Sequence, residues 1–286
     1  MKTSRIITIL ALALFTAGAL AAGCSRKDSK KGGSDKTFIQ IKGSDTMVHL
    51  ASTWAEEFMK ANQGMELAVT GGGSGTGIAA LINGTTDICA ASRSIKPEEI
   101  EEAKSKNVEP KEFVVASDGI ALVVNPDNPI DELSTEQLRE IFTGEVTNWS
   151  EVGGPDAEIL VLSRESSSGT YVFFQEHVLD KQDYAAHARL MPATSGIIQS
   201  AGEDRWAIGY VGLGYVADAG AKVKALRVDG VEPSEATVLD GSYPIARPLH
   251  LYTNGEPRGS VKEFVDFCLS EQGQKIVKEQ GYVPVN

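Results

Sequence analysis

Three short stretches of this sequence combine glycine with hydroxyl side chains, each just ahead of residues with helical spacing. They are Gly43-Ser44-Asp45-Thr46, Gly71-Gly72-Gly73-Ser74-Gly75-Thr76-Gly77 and Arg164-Glu165-Ser166-Ser167-Ser168-Gly169-Thr170. The first turn of a helix carries N–H groups without intrahelical partners and a partial positive charge, so such turns hold oxyanions through amides and hydroxyls. Three of them in one chain predict a shared cradle. Arg164 adds a guanidinium, whose fork of donors matches a tetrahedral oxyanion. Asp45 is the anomaly. Either it caps the helix behind it, or it accepts a hydrogen that the bound anion itself carries. A protonated phosphate has such a hydrogen and sulfate does not, and a buried mismatch of that kind rejects an analogue by ~10⁴ or more.

Other chemistries fit less well. The glycine loop lacks the Lys-Ser/Thr ending of a nucleotide P-loop and the third glycine of a dinucleotide fingerprint. A phosphatase or serine hydrolase using Ser74 or Ser168 is the competing class, but no Ser-His pairing or Gly-x-Ser-x-Gly elbow accompanies either serine. The four histidines, His49, His177, His187 and His250, are scattered, and no residues have zinc-ligand spacing, so neither metal nor cofactor is expected. With 27 basic against 39 acidic residues the formal net charge is −12, and no dense Lys/Arg cluster occurs in the folded part. That argues against nucleic acid as a partner. An anion would be held by local dipoles and one or two buried cations, against the overall field. Cys89 and Cys268 sit in apolar surroundings and read as buried free thiols, a disulfide between them being the alternative.

The elements that must position these turns follow from periodicity. Residues 38–42 read as a strand; Met47, Leu50, Ala51, Trp54 and Phe58 then recur at helical spacing over 46–61. Residues 65–70 are a second strand, 78–82 a short helix after the glycine loop, and 87–92 a third strand. Pro97 opens a charged helix. The repeated order of strand, turn and helix predicts an α/β fold. An apolar strand at 119–125 marks a first crossing into a second lobe, where Ser134 and Gln137 form a capping box and a strand at 159–162 runs into the Arg164 turn. The segment 243–253, with Arg247-Pro248 inside it, is the return crossing. Ser260 with Glu263 reads as another capping box, and Val261, Phe264, Val265, Cys268 and Leu269 share a face of the last helix. Two lobes, residues 37–118 with 248–286 and residues 119–247, then form a clamshell with a ligand between them.

The first 23 residues have the layout of a secretory signal: Lys2 and Arg5, an apolar run, and Leu20-Ala21-Ala22-Gly23 before Cys24. The cysteine after Ala-Gly looks like a bacterial lipobox, with Cys24 as the lipidated first residue of the mature chain. Residues 24–36 carry no large apolar side chain and read as a flexible tether. The chain is therefore expected to be exported and lipid-anchored to a bacterial membrane, facing the periplasm or the cell exterior.

The glycine loop with Ile78-Ala79-Ala80-Leu81, the stretch Ala90-Ala91-Ser92-Arg93, the run Arg164 to Thr170 and, more weakly, Ala207-Ile208-Gly209-Tyr210-Val211 resemble the phosphate-binding proteins of bacterial phosphate ABC importers. The likeness covers nearly all the chain after the tether. It implies a type II periplasmic-binding fold that closes on one inorganic phosphate and hands it to ABC permease subunits, as a monomeric binder and not an enzyme; another oxyanion or a phosphonate is the alternative ligand. Carried over by motif, the phosphate site would comprise Ser44, Asp45 and Thr46 from the first turn, Ser74, Gly75 and Thr76 from the second, and Ser92 and Arg93 from the third strand end. Arg164, Ser168, Gly169 and Thr170 would complete it from the second lobe. Where many members place an Asp after the Ala-Ser pair this chain has Arg93, which transfers interest in the proton-accepting carboxylate to Asp45.

Overall fold

A strand followed by a turn and a helix is the repeating unit of the computed structural model, which describes residues 37–285. The signal segment 1–23, Cys24 and the tether 24–36 lie outside the described residues. The chain runs β1 (Thr37–Gly43), a 3-10 turn at Asp45–Met47, α1 (Val48–Ala61), β2 (Met65–Thr70), α2 (Ser74–Ile82), β3 (Ile88–Ala91), α3 (Pro97–Ser105) and β4 (Pro110–Val124). The middle of the chain supplies β5 (Glu132–Leu133), α4 (Thr135–Thr143), β6 (Leu160–Arg164), α5 (Gly169–His177), β7 (Arg189–Met191), α6 (Thr194–Glu203), β8 (Ala207–Gly212) and α7 (Leu213–Ala219). After the short strands β9 (Lys224–Ala225) and β10 (Arg227–Val228) and helix α8 (Glu235–Leu239), β11 (Ala246–Asn254) returns, followed by α9 (Gly259–Leu269) and α10 (Glu271–Glu279).

The main sheet has the order β2-β1-β3-β11-β4-β8-β6-β7, with β9 pairing on β4. β1 is parallel to both β2 and β3, and β6 is parallel to both β8 and β7. These two parallel groups are joined through antiparallel β11 and β4. The first part of β4 pairs with β11, from Pro110↔Asn254 to Gly119↔Ala246, and its last five residues pair with β8. One 15-residue strand thus serves both lobes. Sequence reading placed a strand only from 119 onward, because Lys111, Glu112, Ser117 and Asp118 interrupt the apolar pattern before it.

Among the described residues four apolar clusters pack on the sheet, and the two largest back its two halves. One gathers Trp54, Phe58, Leu249, Phe264 and Val277; the other gathers Leu122, Phe142, Trp149, Phe174 and Tyr210. The expected face of α1 is buried, and Trp54 donates its indole N–H to the Gly273 carbonyl at 2.9 Å. Ser134 and Gln137 form the anticipated capping box of α4, closed at the other end by Gly144 in the left-handed region. Ser260 does not cap α9. That helix begins one residue earlier, after Arg258, with no side-chain cap. Cys89 and Cys268 are buried free thiols, which desolvation holds well above the ordinary thiol range.

The glycine loop is largely helix. Gly73 is the N-cap, and Ser74 to Gly77 form the first turn of α2. Gly77 is there because α2 lies against β1: a Cβ on it would stand 2.5 Å from both Gly43 Cα and Lys42 O. Alanine is the better helix former by ~1 kcal/mol, but overpacking against backbone costs ~1–3 kcal/mol or more. Gly77→Ala should therefore lower the unfolding free energy by ~1–2 kcal/mol in denaturant titration; a gain in stability would show that α2 can shift freely on the sheet.

Candidate functional site

The strands β1, β2 and β3 end side by side, and the residues after them turn toward the second half of the molecule. Ser44 is fixed by its N–H, donated to Ala90 O at 2.7 Å, and its hydroxyl donates to Ser92 Oγ at 2.9 Å. Ser74 Oγ lies 3.2 Å from Ser92 Oγ and accepts the Ser92 N–H at 3.0 Å. Three buried hydroxyls from three successive strand–helix turns therefore converge. Hydroxyls both donate and accept, so the cluster is satisfied internally and can re-aim its hydrogens toward an anion.

From the opposite side, β6 delivers Arg164 and α5 starts at Gly169, with Ser168 as its N-cap accepting the Tyr171 N–H at 3.3 Å. Gly169 lies directly over the hydroxyl cluster; a Cβ there would stand 2.7 Å from Ser92 Oγ and closer still to Ser74 Oγ. The two sides touch. Gly75 donates its N–H to Ser167 O at 3.0 Å, and Thr46 Oγ1 meets Thr170 Oγ1 at 2.9 Å.

Arg164 is almost fully buried. Its Nε donates to Met191 O at 3.2 Å, Nη1 to Thr194 Oγ1 at 2.5 Å and Nη2 to Pro192 O at 3.0 Å. Tyr210 OH accepts the Arg164 N–H at 3.2 Å and bonds Ser163 Oγ at 2.8 Å, fixing the strand end. Burial keeps that phenol above its ordinary range, hence neutral. Asp45 reaches across the interface: Oδ2 accepts the Thr194 N–H at 2.6 Å and stands 3.5 Å from Arg164 Nη1. Its carbonyl accepts the Tyr215 hydroxyl at 2.8 Å. Asp45 is thus seated on the N-terminus of α6 in the other lobe.

The other expected residues are placed less centrally. Arg93 is buried, but its fork is occupied by Glu99, with Nη1 at 2.8 Å from Oε2 and Nη2 at 2.7 Å from Oε1; Nη1 also donates to Ser94 O. Thr76 turns its hydroxyl back onto Gly72 O at 2.8 Å. Among the described residues no group of three or more His, Cys, Asp or Glu side chains could hold a metal ion.

Sequence reasoning missed two residues beside the cluster. Asp118 on β4 and Arg247 on β11 stand opposite one another in register, both side chains fully buried, with Nη2 at 3.1 Å from Oδ2. Arg247 Nη2 also donates to Thr170 Oγ1 at 2.9 Å and lies 3.5 Å from Thr46 Oγ1. Asp118 Oδ1 accepts the Leu213 N–H at 3.0 Å. Burial pushes the Asp118 carboxyl up, against the pull of the Arg247 guanidinium and the Leu213 N–H. The available signal was Arg247 inside the return crossing and Asp118 immediately ahead of the apolar run at 119–125.

Residues 26–272 match a family model described as a PBP superfamily domain. The phosphate-binding protein PstS of Bacillus subtilis is 36% identical over 294 residues, covering 100% of this chain and 95% of that protein. PstS of Staphylococcus saprophyticus is 34% identical, covering 93% of this chain and 86% of that protein. Among solved structures, a Clostridium perfringens substrate-binding protein with bound phosphate is similar with a TM-score of 0.81 and 33% identity, covering 87% of this chain and 100% of that one. An ABC-type phosphate transport receptor from Vibrio cholerae gives a TM-score of 0.70 at 30% identity, covering 86% and 99%. The two-lobed fold is thus that of phosphate-binding structures, and the chain belongs to the PBP superfamily and, within it, to the PstS family.

Proposed function

We propose that this protein binds one inorganic phosphate between its lobes and delivers it to the permease of an ABC importer. The observation that carries this reading is the meeting of three strand-end hydroxyls, Ser44, Ser74 and Ser92, with the turn Arg164 to Thr170 across one cleft. Thr46 and Thr170 extend the hydroxyl lining, and Ser168, Gly169 and Thr170 offer the amides of a helix start. Arg164, held by three fixed acceptors, supplies attraction without having to be ordered on binding. Arg93 is not a direct ligand in this reading, its fork being occupied by Glu99. Asp45, 3.5 Å from Arg164 Nη1, is the carboxylate that accepts a phosphate hydrogen in this reading.

Binding without catalysis is supported by the partners of the serines and histidines. Ser74 Oγ pairs with Ser92. His49 pairs with Asp218, His177 with the Phe173 carbonyl, and His250 lies beside Glu112, so these three are engaged away from both serines. Closure would occur where β4 and β11 cross, with residues 37–118 and 248–286 in one lobe and 119–247 in the other. Export, with lipid on Cys24 anchoring a monomer at the outer face of a bacterial membrane, completes the reading. No helix among the described residues is long and apolar enough to cross a membrane.

Residues 25–286, stripped of carried-over ligand, should gain ~2.7 kcal/mol of stability at a phosphate concentration 100 times the dissociation constant, visible as a thermal shift. Absence of any shift in millimolar phosphate would refute the reading. Two arginine variants separate charge from scaffolding. Arg164→Ala should weaken phosphate at least ~30-fold by calorimetry, the usual consequence of removing a buried charged partner worth ~2–5 kcal/mol. Arg93→Ala strands Glu99, so it should cost more in stability than in phosphate affinity. The reverse ranking of the two variants in affinity would move the anion from Arg164 to Arg93.

A further inference from the structure

Thr194, the first residue of α6, touches both charged side chains of the candidate site. Its Oγ1 accepts from Arg164 Nη1 at 2.5 Å, and its N–H donates to Asp45 Oδ2 at 2.6 Å. Between the two ions themselves the approach is longer, 3.5 Å from Nη1 to Oδ2. A guanidinium and a carboxylate left to themselves close to ~2.7–2.9 Å, often through two parallel bonds, and exclusion of water strengthens the pull. Both are largely removed from water here, with 2% of the Arg164 side chain and 16% of the Asp45 side chain exposed. Their separation therefore needs a cause. Thr194 supplies one to each partner, an acceptor for the cation and a donor for the carboxylate.

The count of N–H groups shows what is at stake. A guanidinium has five in a fixed fork. Arg164 gives the one on Nε to Met191 O, one on Nη1 to Thr194 Oγ1 and one on Nη2 to Pro192 O, so one N–H on each Nη has no acceptor among the described residues. Two such groups are what an oxyanion takes from an arginine. Asp45 Oδ2, at 3.5 Å, is the rival for the one on Nη1. The rest of Asp45 is confined as well. Its carbonyl accepts the Tyr215 hydroxyl at 2.8 Å, and a Cβ on Gly71 would stand 2.8 Å from Oδ1.

We propose that Thr194 is a positioning residue that acts as a spacer. It holds Arg164 and Asp45 apart, so that the guanidinium keeps two N–H groups for a tetrahedral oxyanion and the carboxylate keeps an acceptor for the hydrogen of that anion. The inference rests on the phosphate reading and deepens it, since it says why the cation and the proton acceptor of one site do not neutralise each other. Thr194→Val keeps the shape and the backbone N–H and removes only the hydroxyl. A crystal structure of this variant without ligand should show Nη1 closed on the Asp45 carboxylate, from 3.5 Å to ~2.8 Å. By calorimetry it should bind phosphate roughly tenfold more weakly than the wild type, the scale of one hydrogen bond to a charged group. Thr194→Ser, which keeps the acceptor, should recover most of that loss. A double-mutant cycle with Asp45→Asn separates spacing from support, because that change leaves no carboxylate for the guanidinium to close on. In the Asp45→Asn background Thr194→Val should cost less than about twofold in affinity for phosphate or, where phosphate binds too weakly, for sulfate. A separation still at 3.5 Å in the Thr194→Val crystal, or the same loss of affinity with and without Asp45→Asn, would overturn the proposal and leave Thr194 as ordinary support for Arg164. Wild-type protein that binds no phosphate would count against the phosphate reading instead, and the separation in the ligand-free crystal would still decide the spacer.

Discussion

A carboxylate and a guanidinium, both fully out of water, face each other at the point where two strands pass between the lobes. Neither could be buried alone, since an isolated charge in the interior is severely penalised. Each therefore fixes the other, and together they fix the register of β4 on β11. The same guanidinium reaches Thr46 on one lobe and Thr170 on the other. Strand pairing, lobe approach and the positioning of the cleft hydroxyls thus share a single electrostatic constraint. A hydrophobic pair would pack the crossing equally well, but it would carry no hydrogen bond into the cleft.

Around that constraint the cleft is built from groups that can pair with themselves. Ser44, Ser74 and Ser92 form one hydroxyl chain, and Thr46 with Thr170 forms another across the interface. Lysines in these positions would repel one another whenever the cleft was empty of anion. Hydroxyls instead exchange one partner for another with little net change in hydrogen bonding. Glycine completes the design where backbone must approach: Gly169 lets the start of α5 lie directly on Ser74 and Ser92.

Much of this was legible in the sequence because the relevant physics is local. Glycine and hydroxyl residues at strand ends marked Ser44, Ser74 and Ser168, and helical spacing gave the buried face of α1 from Met47 to Phe58. What was hidden depends on distant partners. Asp118 and Arg247 are 129 residues apart, and only the strand register makes them neighbours. Asp118, with Lys111, Glu112 and Ser117, also broke the apolar pattern over the first half of β4, so the strand was read only from 119. Arg93 was anticipated at the anion, yet Glu99, six residues on, takes its fork while accepting the Lys96 N–H as well. That competition was visible in principle, since an acidic residue in the first turn of α3 was bound to face the loop before it.

The position of β11 has a kinetic side. In the sheet it lies between β3 and β4, so a central strand of the first lobe comes from residues 246–254, behind the whole of the second lobe in chain order. Helices α9 and α10, which cover that lobe with Phe264 and Val277, come later still. A chain emerging from its N-terminus holds β1, β2 and β3 with their central edge unpaired until those residues arrive. Contacts of such long sequence separation slow folding, and here they withhold the first lobe from completion until nearly the last residue is free.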